Sequence, residues 1–384
     1  MGDLYASCPV DRTSQEIRLL RLLPKNDEGI IECTMQTYNH DDRPPYQALS
    51  YTWGPNIAYD DIEINGVKIP VRENLWSFLH QQQLHGNHGP FWIDALCIQQ
   101  SNVDERNHQV QMMGPIYKGA EKALVWLGKE KDDSDLALRF LKRAWNPMLY
   151  NEVFGYSTDI AHSILSFCKR TYWSRMWIVQ EIMLACHIEI HCGPGMLEWL
   201  KLSELYSHLD ARSTRAGLTD QNDVDTPLYH FILGSPAISI AAMKRYADLE
   251  RNSRATFSSL LETYRDHKCE DIRDKVYALV GVERYSSLEV NYHKSVAETL
   301  LDTLYYEASR ICWEKWSTGL DPSESKSVWD FGLLLKKVLA VELSETELLL
   351  HVERSARVAW TTYCDLMENN ISSAEFFAAV ALAR

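Results

Sequence analysis

The chain has 384 residues, 46% hydrophobic and 24% charged, a soluble-globular balance rather than a disordered, collagen-like or coiled-coil one. Asp+Glu number 53 against Lys+Arg 39, a formal net charge of −14; this argues against a general affinity for nucleic-acid backbone or an anionic membrane, because both need a basic patch. The N-terminal MGDLYASCPVDRTSQ lacks the basic start and apolar stretch of a secretory signal, and Gly2 with Ser7 misses the myristoylation spacing. The longest uncharged apolar run, Phe231 to Met243, falls short of the roughly 20 residues that span a bilayer, so no transmembrane segment is expected.

The first third reads as β-rich. Ile17–Leu23 and Ile30–Thr37 flank the turn-rich PKNDEG and predict a hairpin. Tyr46–Thr52 is a short apolar strand stopped by Gly54-Pro55. Alternating apolar residues on both sides of Asn65-Gly66 predict a second hairpin, because both turn residues must accept a positive φ. Asn74 is placed to cap a helix running to Leu84. Strands and helices then alternate: Phe91–Ile93, a capping box at Ser101-x-x-Asp104 opening a helix to Tyr117, and Ala123–Leu127 stopped by Gly128. Helices follow at 134–145, 158–169 and 173–185, then a strand at 187–192. This rhythm predicts a mostly parallel sheet with helices packed on it. Ser203–Asp225 is polar and reads as a loop. Beyond about residue 200 the pattern is nearly all helical, with starts at Thr256, Ser295 and Ser344 and an end at Gly281.

Nine cysteines are scattered through the chain, at positions 8, 33, 97, 168, 186, 192, 269, 312 and 364, with no CxxC, which fits reduced thiols. Cys186, His187, His191 and Cys192 carry zinc-binding donors, but the alternation from His187 to Cys192 splits them over two faces of a strand. The half-buried strand explains every residue, and no metal site is expected. Cys97 has no His partner in sequence to activate it as a nucleophile. The glycines form neither GxGxxG nor a P-loop.

Four blocks stand together in order: Tyr46–Gly54 (YQALSYTWG), Phe91–Gln100 (FWIDALCIQQ), Met113–Gly128 (MGPIYKGAEKALVWLG) and Tyr172–Glu181 (YWSRMWIVQE). They resemble the signature of the fungal heterokaryon-incompatibility (HET) domain in residue type, order and spacing. Asp271–Gly281 (DIRDKVYALVG), followed by Asn291-Tyr292, resembles the segment that often follows that domain. The resemblance covers roughly residues 17–310 and implies a cytoplasmic fungal protein linked to non-self recognition and regulated cell death. HET domains are distantly similar to TIR domains, some of which cleave NAD through the glutamate of a Trp-Cys-x-x-Glu motif. Here Trp177-Ile-Val-Gln-Glu181 has that spacing without the cysteine, and the insert between Gly128 and Tyr172 is longer than a TIR domain carries.

On a continuous helix Trp173, Trp177, Glu181 and Leu184 would share one stripe, setting a carboxylate on an aromatic, apolar face. One reading makes Glu181 the catalytic group of a cleft with Trp177 as its wall. Nicotinamide leaves NAD as a neutral molecule without a general acid or a cofactor, so one carboxylate that holds the ribose and stabilises an oxocarbenium-like transition state suffices. The other makes Glu181 structural, paired with Arg175 or Arg273. Ser50 and Trp53 follow a strand end, where open α/β folds bind ligands, and Gly54 lets backbone approach a phosphate; the same residues fit a packed turn. Asp94 fits a ribose contact or a helix cap. Arg106 fits an anion site in a first helical turn or a solvated side chain. Arg273-Asp274 reads as an internal salt bridge.

The fold expected is α/β: a TIR-like, flavodoxin-like parallel sheet over 44–200, N-terminal β-hairpins over 1–43 and a helical region over 201–384. The function expected is that of a cell-death effector hydrolysing NAD or a related nucleotide at its N-glycosidic bond. The alternative is a signalling and assembly module that acts through self-association or a recognition-protein partner.

Overall fold

The computed structural model describes residues 4–25, 29–143, 158–216, 227–249, 256–283, 288–317 and 325–367. They form two compact units, one of Met1–Arg106 with Pro115–Asn252, the other of Asn107–Gly114 with Ser253–Arg384.

The first unit is built on one mixed sheet of nine described strands: β1 (Glu16–Leu22), β2 (Glu32–Asn39), β3 (Gln47–Tyr51), β4 (Asp60–Ile64), β5 (Val67–Val71), β6 (Phe91–Trp92), β7 (Lys122–Trp126), β8 (Ile188–Cys192) and β9 (Gly195–Glu198). Their order is β5-β4-β2-β1-β6-β3-β7-β8-β9. The central neighbours β6/β3, β3/β7 and β7/β8 are parallel. The expected hairpins β1/β2 and β4/β5 extend one side antiparallel, and β9 pairs antiparallel with β8 at the other edge. Asn65 and Gly66 take φ of 51° and 77°, as a two-residue hairpin turn requires.

Helices of this unit are α1 (Leu4–Ser7), α2 (Glu73–Leu84), α3 (Asp94–Cys97), α4 (Val103–Gln111, entering the second unit at Asn107), α5 (Met113–Gly119), α6 (Ser134–Leu141), α7 (Thr158–Cys168), α8 (Ile178–Leu184), α9 (Trp199–Ala216), α10 (Pro227–Leu233) and α11 (Pro236–Leu249). Strand alternation sorts the core. Leu49, Tyr51, Phe91, Ile93, Leu124 and Trp126 join Leu75, Phe78 and Leu79 of α2 in one buried cluster. Phe78 sits edge-on to Phe91 and Trp126, each ring 5.9 Å away. Ala48, Ser50, Trp92 and Val125, which alternate with those residues, therefore belong to the opposite face of the sheet. There Tyr117 meets Trp92 edge-on and donates to Leu49 O at 2.8 Å, while Tyr46 donates to Ile116 O at 2.5 Å, so two signature tyrosines fasten α5 to β3.

Several local expectations are corrected. Asn74 lies inside α2 rather than capping it; its side chain donates to Thr52 O (2.6 Å) and accepts from Trp126 Nε1 (2.9 Å), tying the ends of β3 and β7. Asn102, not Ser101, caps α4 by accepting from Glu105 N (3.2 Å), which leaves the Glu105 carboxylate to pair with buried Arg18 at 2.5 Å. Residues 203–216 are helix: Leu202, Leu205 and Leu209 recur at helical spacing and are fully buried, and their burial overrides the polar composition. Positions 217–225 of the expected loop lie outside the described residues.

The second unit is helical in its described residues: α12 (Phe257–Tyr264), α13 (Asp274–Val280), α14 (Val296–Ser317), α15 (Ser325–Val338) and α16 (Glu345–Met367). Thr256 caps α12 through Ser259 N, and Ser295/Glu298 and Ser344/Glu347 form reciprocal capping boxes. Residues 107–114 belong to this unit because Asn107 and Gln111 accept from Tyr292 N (2.8 Å) and Val290 N (2.7 Å). Arg273 pairs with Asp271 at 2.5 Å, not with Asp274, which accepts from the Tyr292 hydroxyl. No helix among the described residues is long and apolar enough to cross a membrane.

A candidate site at the carboxyl ends of the parallel strands

The stretch 173–185 is not one helix. A 3₁₀ turn over Thr171–Ser174 is followed by extended Arg175 (φ −77°, ψ 141°), and α8 begins only at Ile178. The stripe of Trp173, Trp177, Glu181 and Leu184 is therefore broken. Trp173 is fully buried and donates to Phe167 O at 2.9 Å. The break frees Tyr172 and Arg175 to turn toward Glu181 in the first turn of α8.

Glu181 is 2% exposed. It accepts a hydrogen bond from Ser50 Oγ, and Ser50 Oγ lies 2.5 Å from the Tyr172 hydroxyl. With Glu181 ionised, the single Ser50 proton is spent on the carboxylate, so Tyr172 must donate to Ser50. Arg175 Nη1 stands 3.6 Å from Glu181 Oε2, is buried, and makes no hydrogen bond. That distance is an ion pair without a well-formed hydrogen bond. Burial pushes the Glu181 carboxyl up to about 7, against the downward pull of Arg175 and Ser50, and nearby Asp94 adds to the rise. Burial also opposes the Arg175 charge, but Glu181 and Asp94 outweigh it and hold its pKa above the ordinary value. Tyr172 is likewise raised by burial and by Glu181.

Half-buried Asp94, in the first turn of α3, accepts from Trp53 Nε1 at 2.9 Å and from Ala95 N at 2.7 Å, so it meets an aromatic neighbour and its own helix end. Burial raises its pKa, offset by Arg175 and by the Trp53 bond. The Arg72 guanidinium lies 5.2 Å over the Trp53 ring and donates to Gly54 O (2.8 Å) and Asn56 Oδ1 (2.9 Å). Gly54 has φ 78°, the left-handed conformation glycine adopts at little steric cost, and a Cβ there would meet nothing within 4 Å. The structure thus brings Ser50, Glu181, Tyr172 and Arg175 together, and Trp53, Gly54, Asp94 and Arg72 together, with Arg175 acting electrostatically on both carboxyl groups. Trp177 is half-buried at the start of α8, where its carbonyl accepts from Glu181 N (3.2 Å). Arg106 is half-buried on α4, and this network does not pass through it.

Sequence reading missed Tyr172 as a site residue and named Arg175 only as a partner, although both stand in the YWSRMWIVQE block. It also missed Arg170, whose guanidinium binds Leu127 O, Lys129 O and Lys131 O at 2.9–3.0 Å and fixes the chain leaving β7. No local pattern announces that role. Cys97 is fully buried, and burial pushes its thiol up to about 12, which disfavours the thiolate a nucleophile needs. No metal-binding group of three or more His, Cys, Asp or Glu occurs among the described residues.

Residues 46–181 match the family described as Heterokaryon incompatibility protein (HET). That segment is a HET domain. The HET segment opens at Tyr46 and closes at Glu181, and so contains the whole Ser50–Tyr172–Arg175–Glu181 network. The chain is 24% identical over 370 residues to "Heterokaryon incompatibility protein 6, OR allele" of Neurospora crassa, covering 81% of the chain and 54% of that relative. It is 31% identical over 122 residues to "Vegetative incompatibility protein HET-E-1" of Podospora anserina, covering 30% of the chain and 9% of that relative. The chain therefore spans about half the length of the first and a small part of the second. No solved structure matches it significantly.

Proposed function

We propose that this chain serves fungal non-self recognition and regulated cell death from the cytoplasm, and that its α/β unit hydrolyses NAD or a related nucleotide at the N-glycosidic bond. The recognition role is supported by the relatives, both named for incompatibility. The observation that carries the chemical reading is the Glu181 carboxyl, bonded to Ser50 beside the carboxyl ends of parallel strands and close to Asp94. Taken in chain order, the parallel strands β3, β6, β7 and β8 stand second-first-third-fourth across the sheet, the order of flavodoxin-like folds, which supports a TIR-like core. In such folds ligands bind beyond the carboxyl ends of the strands where the order reverses, and Ser50 to Gly54 lead out of β3 at that place.

The ionised Glu181 carboxylate would hold a ribose hydroxyl and stabilise positive charge at the anomeric carbon as the carbon–nitrogen bond breaks. Nicotinamide departs with the bonding pair, water adds to the ribose, and its proton is released. Asp94 and Trp53 would complete the ribose and ring contacts.

A second reading, a non-catalytic module that assembles with itself or with a recognition protein, is favoured by one observation. Glu181 is 2% exposed, with its carboxylate already engaged by Ser50 and Arg175. Expression in fungal cells separates the two. Loss of viability with a fall in cellular NAD, both abolished by Glu181→Gln, supports hydrolysis; loss of viability at constant NAD supports the module.

A further inference from the structure

The helix that carries Glu181 has seven residues, α8 (Ile178–Leu184), and no side chain caps its start at Trp177. Isolated helices below about 12 residues are marginal in water, so α8 keeps its place only through tertiary contacts. Ile178, Val179 and Ile182 are fully buried and set its rotation. Its far end is held differently. Lys244, 7% exposed on α11, directs its ammonium to Met183 O (3.3 Å) and Ala185 O (3.1 Å), the carbonyls where α8 ends. Asp248, one turn further along α11, accepts from the same ammonium at 2.9 Å and holds it in place. A cation at a helix C-terminus satisfies carbonyls left without partners and complements the helix dipole.

We propose that Lys244 is a positioning residue for Glu181: by clamping the carboxyl end of α8 it fixes where the Glu181 carboxyl sits against Ser50 and Arg175. Lys244 lies beyond the 46–181 segment that matches the HET family, so the working unit extends through α11 to at least residue 248. The inference takes Glu181 as the working group of the reading above, yet its test does not need turnover.

The charged and titratable groups that act on Glu181 are Arg175 beyond the 3₁₀ turn, Tyr172 in that turn, Asp94 on α3, Tyr51 on β3 and Tyr117 on α5. None of them is on α11, so Lys244 acts on Glu181 through the α8 backbone.

The test measures melting temperature from pH 5 to 8 for chains with and without Glu181→Gln, in the native and the Lys244→Met backgrounds. In the native background the Glu181→Gln chain gains on its parent as pH rises above the ordinary 4.5, and the gain levels off near the Glu181 value of about 7, so its midpoint lies between the two. In Lys244→Met the loosened α8 admits water, and that midpoint moves down toward the ordinary 4.5, so the gain within this range shrinks. Lys244→Arg, which keeps a cation on the two carbonyls, restores it. If Lys244→Met does not fold, Lys244→Gln, a neutral donor, is expected to move the midpoint in the same direction by less. An unchanged midpoint with a uniformly lower melting temperature in the neutral variants would overturn the proposal. Absence of NAD cleavage by the native chain would overturn the hydrolase reading and leave this midpoint test as it stands.

Discussion

Ser50 Oγ donates to Glu181 Oε2 across 131 positions of sequence, joining the carboxyl end of the central strand β3 to the first turn of α8. Tyr172 meets the same hydroxyl. A small polar residue at the buried position 50 is thus required by two partners rather than by strand propensity.

Ser50→Ala removes both hydrogen bonds at once and leaves the buried Tyr172 hydroxyl and Glu181 carboxyl each short of a partner. An unmade buried hydrogen bond costs about 1–3 kcal/mol. Urea unfolding should show a loss of that order with the slope unchanged. A variant as stable as the native chain would contradict the hydrogen-bond assignment.

Glu181 should make stability depend on pH with an unusual sign. Its folded pKa, about 7, lies above the ordinary 4.5, so between those values the folded chain holds a proton that the unfolded chain has released. Its contribution is therefore fully present below the lower value and falls as pH rises to the upper one, by about 3 kcal/mol in all. Glu181→Gln cannot ionise and should gain that amount over the native chain between pH 5 and pH 8. A loss on raising pH would mean that the Arg175 pair outweighs burial.

Arg175→Met leaves Glu181 and Asp94 without the cation they share. Removing one partner of a buried pair costs about 3–5 kcal/mol. Because Glu181 is protonated in the lower part of the range, the deficit should be smaller at pH 5.5 than at pH 8. Equal deficits at the two values would show that the attraction between the charges is not what Arg175 contributes.

The Arg18–Glu105 pair, 2.5 Å apart and buried, also ties the chain's first helix in place, since Arg18 donates to Cys8 O (2.6 Å) and Cys97 O (2.9 Å). Glu105→Gln keeps the size but removes the charge, and should destabilise by about 3 kcal/mol. Chemical unfolding checks this, and a neutral result would reassign the clamp to the backbone carbonyls alone.

The strands of the central sheet were legible because Tyr46–Thr52, Phe91–Ile93 and Ala123–Leu127 are short apolar runs, the last two groups bounded by Pro90 and Gly128. The Asn65-Gly66 hairpin was legible because its turn demands those residues. The break at Arg175 was not. No Gly or Pro interrupts Tyr172–Glu181, and the chain leaves the helix there while Tyr172 reaches Ser50 and Arg175 approaches Glu181, relationships visible only once the sheet brings β3 beneath α8. The residues meeting at Glu181 were half legible: Ser50 and Glu181 stand in separate signature blocks, but their direct bond depends on the face that Ser50 occupies. Lys244 gave no signal, because a lysine in a polar-edged helix looks solvated until its carbonyl partners are known.

The most direct measurement is nicotinamide release from NAD by concentrated purified chain, followed by chromatography, with melting temperature recorded on the same samples for the native chain and Glu181→Gln. The hydrolase reading predicts release by the native chain, rising with pH through about 7 as Glu181 ionises, and none from a Glu181→Gln chain that still melts as a folded protein. Equal release from the two chains, or none from the native chain even when concentrated or assembled, would contradict it.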